Sequence, residues 1–171
     1  LQDSSGQLVK VQYHSTCGGM IDYLPIKPDS HQKLGSIQDQ SEQNVHCELS
    51  PQYRWVKQMT AQNLLDNLSS MGLVTPAQVL TWKNQGFTLQ LEILSRKSSG
   101  RVEKMKVLLP DQEILLNEWQ IRRFLADKNG NPQSSNLFII KTSPKNPEQF
   151  YIIGAGSGHG RGMCQWGAIG Q

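Results

Sequence analysis

The chain has 171 residues, the length of one ordinary domain with room for a sizeable core. Seventeen Lys and Arg against fourteen Asp and Glu leave a formal charge of +3, too weak to argue for nucleic acid, and no basic cluster is longer than IRR at 121–123. The 37% hydrophobic fraction comes without a membrane span or a secretory leader, and the opening LQDSSGQLVK, which lacks an initiator methionine, reads as an excised piece or a mature product.

Residues 7–14 (QLVKVQYH) alternate as a strand after a turn at Ser4, Ser5 and Gly6. That strand delivers His14, Ser15, Thr16 and Cys17 to its end, where Gly18 and Gly19 let the backbone turn. Residues 20–50 show little periodicity; Pro25, Pro28, His31 and the polar run DQSEQNVHCE predict a long irregular loop returning at His46 and Cys47. A loop of that length inside a compact domain needs a tie or a function. Residues 51–59 read as a strand, and Ala61, Leu64, Leu65, Leu68 and Met71 then recur at helical spacing up to Gly72. Thr75, Pro76 and Gln78 form a start signal for a second helix ending near Gly86: a cap, a proline in the first turn and a partner for a capping box.

Residues 88–96 and 101–110 alternate on either side of SSG and predict a hairpin. EILL continues the sheet, and Asn117 is placed to cap a helix over EWQIRRFL whose apolar face is Ile121, Phe124 and Leu125. Residues 127–136 are turn and loop, and LFIIK and EQFYIIG are two more strands. The expected fold class is therefore α+β: a mostly antiparallel sheet with two or three short helices, in a single domain over 1–171 with no repeat and no linker.

The last strand feeds a stretch unlike the rest. Seven of the chain's 15 glycines fall within residues 154–170, interleaved with His159, Arg161, Cys164, Gln165 and Trp166. Glycine loses more backbone freedom on folding than any other residue, so this density implies a special path or a close approach, as in the wall of a ligand cleft. This stretch and HSTCGG both follow predicted strands and can share one rim of the sheet.

The three cysteines are an odd number. His14 with Cys17, and His46 with Cys47, offer two imidazoles and two thiolates, a donor set suited to tetrahedral zinc. A Cys17–Cys47 disulfide is the alternative, and Cys164 has no evident partner. The chain has no HExxH, no GxSxG and no P-loop ending in GK[ST]. Glu42, Glu48 and Glu118 are the only carboxylates near the unusual residues, and none sits where glycoside chemistry demands one. On residue pattern alone this is a ligand-binding α+β domain in which Trp166 stacks on a sugar face while Gln165 and His159 hydrogen-bond to it.

YHSTCGG at 13–19, SPQYRW at 50–55, SGR at 99–101, IRRFL at 121–125 and GSGHGRGMCQWGA at 156–168 resemble, in this order, signature segments of the SpoIID/LytB family (stage II sporulation protein D). The resemblance implies a membrane-anchored or wall-associated, extracytoplasmic lytic transglycosylase acting on peptidoglycan strands stripped of stem peptides. For LytB-like members it implies an amidase enhancer, with an amidase as partner. It assigns substrate positioning to His14, Ser15, Gly18, Gly19, Arg54, His159, Gln165 and Trp166, and it implies zinc held by His14, Cys17, His46 and Cys47. The family's catalytic glutamate lies in a segment resembling VPLEEYLxGVVxxEMP, expected before Leu1, so no residue of this chain is expected to be the catalytic acid. Cys164 stands where the family pattern GMSQWGA has serine.

Overall fold

The computed structural model describes residues 5–7, 11–22 and 45–171. Residues 8–10 of the first expected strand and 23–44 of the expected loop, with His31 and Glu42, lie outside the described residues. The fold is α+β, mostly antiparallel sheet with a few short helices, as its residue patterns require. Its elements are β1 (Tyr13–His14), β2 (Arg54–Thr60), α1 (Ala61–Ser70), α2 (Pro76–Asn84), β3 (Gln90–Arg96), β4 (Val102–Leu108), β5 (Glu113–Asn117), α3 (Glu118–Phe124), β6 (Phe138–Ser143), β7 (Asn146–Ala155), β8 (Met163–Cys164) and α4 (Gln165–Ile169). The chain packs as two compact units, one of Leu1–Tyr53 with Ala155–Gln171 and one of Arg54–Gly154.

The Arg54–Gly154 unit follows from local signals. Thr60, Thr75 and Asn117 each cap the helix that follows, their side chains accepting from the N3 backbone N–H while the N3 side chain accepts from the cap's own backbone N–H. Such reciprocal caps satisfy two of the donors that a helix start leaves unpaired. Alternation in β3, β4 and β5 builds an antiparallel meander in which Met105 of β4 lies opposite Ile93 and Leu116. β2, β7 and β6 form a second sheet in that order, with β6 and β7 antiparallel. Leu64, Leu68, Trp82, Met105, Ile121 and Phe124 meet in one apolar core and are all at most 2% exposed. Burying each such side chain is worth about 1.5–3 kcal/mol, so this unit has an ordinary hydrophobic foundation. Asn67 of α1 donates to the carbonyls of Phe124 (2.8 Å) and Ala126 (3.0 Å), which locks the end of α3 onto α1.

Among its described residues the other unit has little of this. They include the two-residue parallel pair β1 and β8 and a buried cluster of Cys17, Cys47 and Cys164, with Ile21, Val45, Tyr53 and Trp166 packed around them. Three thiols are a poor hydrophobic core, and units this small usually need a disulfide or a metal as well. Among the described residues, no helix is long and apolar enough to cross a membrane.

Candidate metal centre

The period of two along a strand decides which side chains meet. In β1 and β8, Tyr13 lies opposite Met163 and His14 opposite Cys164. Tyr13 and Met163 face outward and are exposed, whereas His14 and Cys164 are buried. Beyond β1 the chain continues beside the glycine-rich stretch: Thr16 N–H donates to the Ser157 carbonyl (3.0 Å), and Ser157 N–H donates back to Thr16 (2.8 Å). Thr16 Oγ1 lies 2.6 Å from Ser50 Oγ, both buried, which fastens the turn carrying Cys47 to the segment carrying Cys17.

Much of the glycine density serves this contact. A Cβ at Gly158 would lie 2.8 Å from the Cβ of His14, and one at Gly162 would collide with the carbonyl of Gln12. The bare backbone there admits the chain's own first strand. Gly18 belongs to the same contact, since a Cβ on it would meet Ala155 and Gly156. Gly19 is looser, with only Val45 within ordinary distance.

His14 is held by Nδ1, 3.0 Å from the carbonyl of Arg161. Only an N–H can bond to a carbonyl, so Nδ1 carries the proton and Nε2 keeps its lone pair. That Nε2 is buried and has no hydrogen-bond partner. An orphaned imidazole nitrogen whose other nitrogen is fixed by a carbonyl is the usual arrangement of a metal-binding histidine. The donor atoms of His14, Cys17 and Cys164 all lie within 4.8 Å of one another, and a metal ion fits among them. Backbone N–H groups point at the sulfurs as well: Cys17 and Gly167 each donate to Cys164 Sγ at 3.2 Å, and Gly19 donates to Cys17 Sγ at 3.3 Å. Donors aimed at sulfur favour the thiolate, which is the ligating form. The hydrogen bond shared with the Cys17 thiol, helped by the His14 ring and then by the backbone N–H groups of Cys17 and Gly167, pulls the Cys164 thiol down to about 3, while Cys17 is raised by the same shared proton and by burial.

Cys164 is also the N-cap of α4, its sulfur taking the Gly167 N–H as a serine oxygen would. Asp22, which has no marking in the sequence, adds a clamp from outside the ligand set. It is 3% exposed, lies 3.6 Å from Arg161 Nε, and its N–H donates to the Gly160 carbonyl. It thus braces the segment whose carbonyl orients His14.

Of the expected zinc ligands, His14 and Cys17 belong to the cluster. Cys47 touches it through Cys17, Sγ to Sγ 3.4 Å, and burial pushes its thiol up. His46 is half-buried and is not among the three residues whose donor atoms converge. Cys164 is the member the sequence left without a partner. Of the expected substrate residues, His14 and His159 approach to 5.9 Å between ring centroids, and Trp166 N–H donates to the Ser15 carbonyl at 3.0 Å. His159 and Gln165 are exposed and Trp166 is half-buried, so these side chains present polar groups and an indole next to the buried cluster. Arg54 is exposed at the first residue of β2, in the other unit.

Fold and cluster together define an α+β chain in which one histidine and two cysteines converge closely enough to hold a metal ion. The chain belongs to the family described as "Domain of unknown function (DUF8618)", whose model matches residues 3–162. A search among curated proteins finds no match.

Proposed function

We propose that the chain binds the glycan strands of peptidoglycan through Ser15, His159, Gln165 and Trp166, as the C-terminal part of a SpoIID-like domain, and that zinc occupies the cluster of His14, Cys17 and Cys164. The observation that supports this best is the 5.9 Å approach of His14 and His159, which joins the two segments of SpoIID-like sequence into one feature, with one ring buried and the other exposed. An indole edge flanked by amide and imidazole donors suits a neutral sugar, whose ring faces are apolar and whose rim is hydroxyl.

Two thiolates with one imidazole, those of Cys17, Cys164 and His14, favour zinc over harder cations and tie the segment of His14 and Cys17 to that of Cys164. Zinc would then be structural, fixing the segments that carry Ser15 and Trp166. Strand cleavage of the lytic transglycosylase type needs a carboxylic acid to protonate the glycosidic oxygen. In the family resembled, that acid comes from a segment preceding the residues matched here, so the role proposed for these residues is to bind and orient. The reading puts the protein outside the cytoplasm, at the membrane or the wall.

Binding of purified, peptide-free glycan strands, measured by calorimetry, tests it. The protein is expected to bind, and Trp166→Ala is expected to weaken binding roughly tenfold, the equivalent of about 1.4 kcal/mol of lost stacking. Unchanged affinity in that variant would overturn the cleft.

A further inference from the structure

Cys17 is placed for two incompatible partnerships. Its Sγ belongs to the converging set with His14 and Cys164, and it also lies 3.4 Å from the Sγ of Cys47. A disulfide needs the sulfurs at about 2.05 Å, so a shift of little more than 1 Å separates contact from bond. Both residues are fully buried, and the segments that carry them are already fastened by the Thr16–Ser50 contact. Cys164 is less suited to be the bonding partner, because its sulfur is occupied by the N–H groups of Cys17 and Gly167 and caps α4.

We propose that Cys17 and Cys47 form an oxidisable pair, so that Cys17 serves either the metal or a Cys17–Cys47 disulfide and the metal is held only while the pair is reduced. This rests on the metal reading of the cluster given above. With a peroxide as oxidant the step balances. The Cys17 sulfur attacks the peroxide O–O bond; an S–O bond forms, the O–O bond breaks and one water leaves. The Cys47 sulfur then attacks the Cys17 sulfur; the S–S bond forms, the S–O bond breaks and the second water leaves. Metal-bound Cys17 is already a thiolate, so the Cys47 thiol supplies one proton and solvent the other; the two sulfurs are oxidised by two electrons and the peroxide is reduced by two. A sulfur engaged in a disulfide no longer carries the charge that binds zinc, and His14 with Cys164 alone make a weak site. Hydrogen peroxide is little larger than water, which suits sulfurs this deeply buried.

The zinc-loaded protein titrated with hydrogen peroxide provides the test, with released zinc read by a chromophoric chelator and disulfides mapped by mass spectrometry of non-reduced peptides. Zinc release is expected to rise in step with a 17–47 cross-linked peptide, with Cys164 still free to alkylate, and a thiol reductant plus zinc is expected to restore the starting state. In Cys47→Ala, which keeps His14, Cys17 and Cys164, the peroxide needed for half-release is expected to rise roughly tenfold. A link between 17 and 164, or zinc lost from Cys47→Ala at the native dose, overturns the proposal. Protein that binds zinc but never forms the 17–47 link sinks the proposal alone. Protein that binds no zinc yet forms the link sinks the metal reading and the shared sulfur with it.

Discussion

His14 shows how a single residue is given a chemical role by its surroundings. One hydrogen bond, from Nδ1 to the Arg161 carbonyl, fixes the tautomer and leaves Nε2 buried with an unused lone pair. Filling that lone pair with a metal removes the penalty of an unpaired buried acceptor. Cys164 is the complementary case, a sulfur whose neighbours hold it as the thiolate. Since folding lowers its pKa, its contribution to stability is complete above the ordinary thiol pKa and fades as pH falls towards 3. In metal-free protein at pH 6, Cys164 should therefore be the cysteine that iodoacetamide alkylates first, with Cys17 and Cys47 far slower. Peptide mapping of the alkylated protein checks the order, and Cys17 labelled ahead of Cys164 would refute this account of the shared proton. Neither His46 nor Cys47 contributes a donor atom to the converging set, which is drawn from β1, the turn after it and β8.

At the scale of elements, the glycine-rich stretch is a partner for β1 and the turn after it. Gly158 has φ 104°, and a side chain there would strike His14, so both the conformation and the space forbid one. Gly158→Ala is expected to destabilise the protein by about 1–3 kcal/mol and to lower zinc retention, because it pushes the ligand-bearing strand away. Denaturant melts with metal analysis of the purified variant check both effects; native zinc content in a destabilised variant would separate the strand contact from the metal. The helices and the β3–β4–β5 meander stand on different ground. Their caps, apolar spacing and turn residues were all visible in the sequence, and the structure adds mainly their partners. The five-residue α4 was not visible, since it depends on the Cys164 sulfur as its cap and on Trp166 tethered to Ser15.

In the molecule as a whole, the two units are stabilised by different means. Arg54–Gly154 is built on aliphatic and aromatic side chains, while the unit of Leu1–Tyr53 with Ala155–Gln171 has three sulfurs at the middle of its buried cluster. A bound metal contributes its binding free energy directly to the stability of whatever it holds together. Removing zinc with a chelator should raise amide exchange across residues 14–19 and 157–167, leaving that of α1, β4 and α3 unchanged. Hydrogen exchange with mass spectrometry measures this; equal loosening of both regions, or of neither, would contradict a structural metal in the smaller cluster.

The sequence by itself determined the fold class, the capped helices, the hairpin and the two segments worth watching, because each of those signals acts over a few residues and depends on backbone chemistry alone. It also singled out His14 and Cys17. What only the tertiary structure decided was which sulfur joins them, that the glycines make room for the chain's own strand, and that the described strands sort into three sheets. Cys164 meets Cys17 across 147 residues of chain. No local spacing encodes a contact closed only when the last strand returns beside the first.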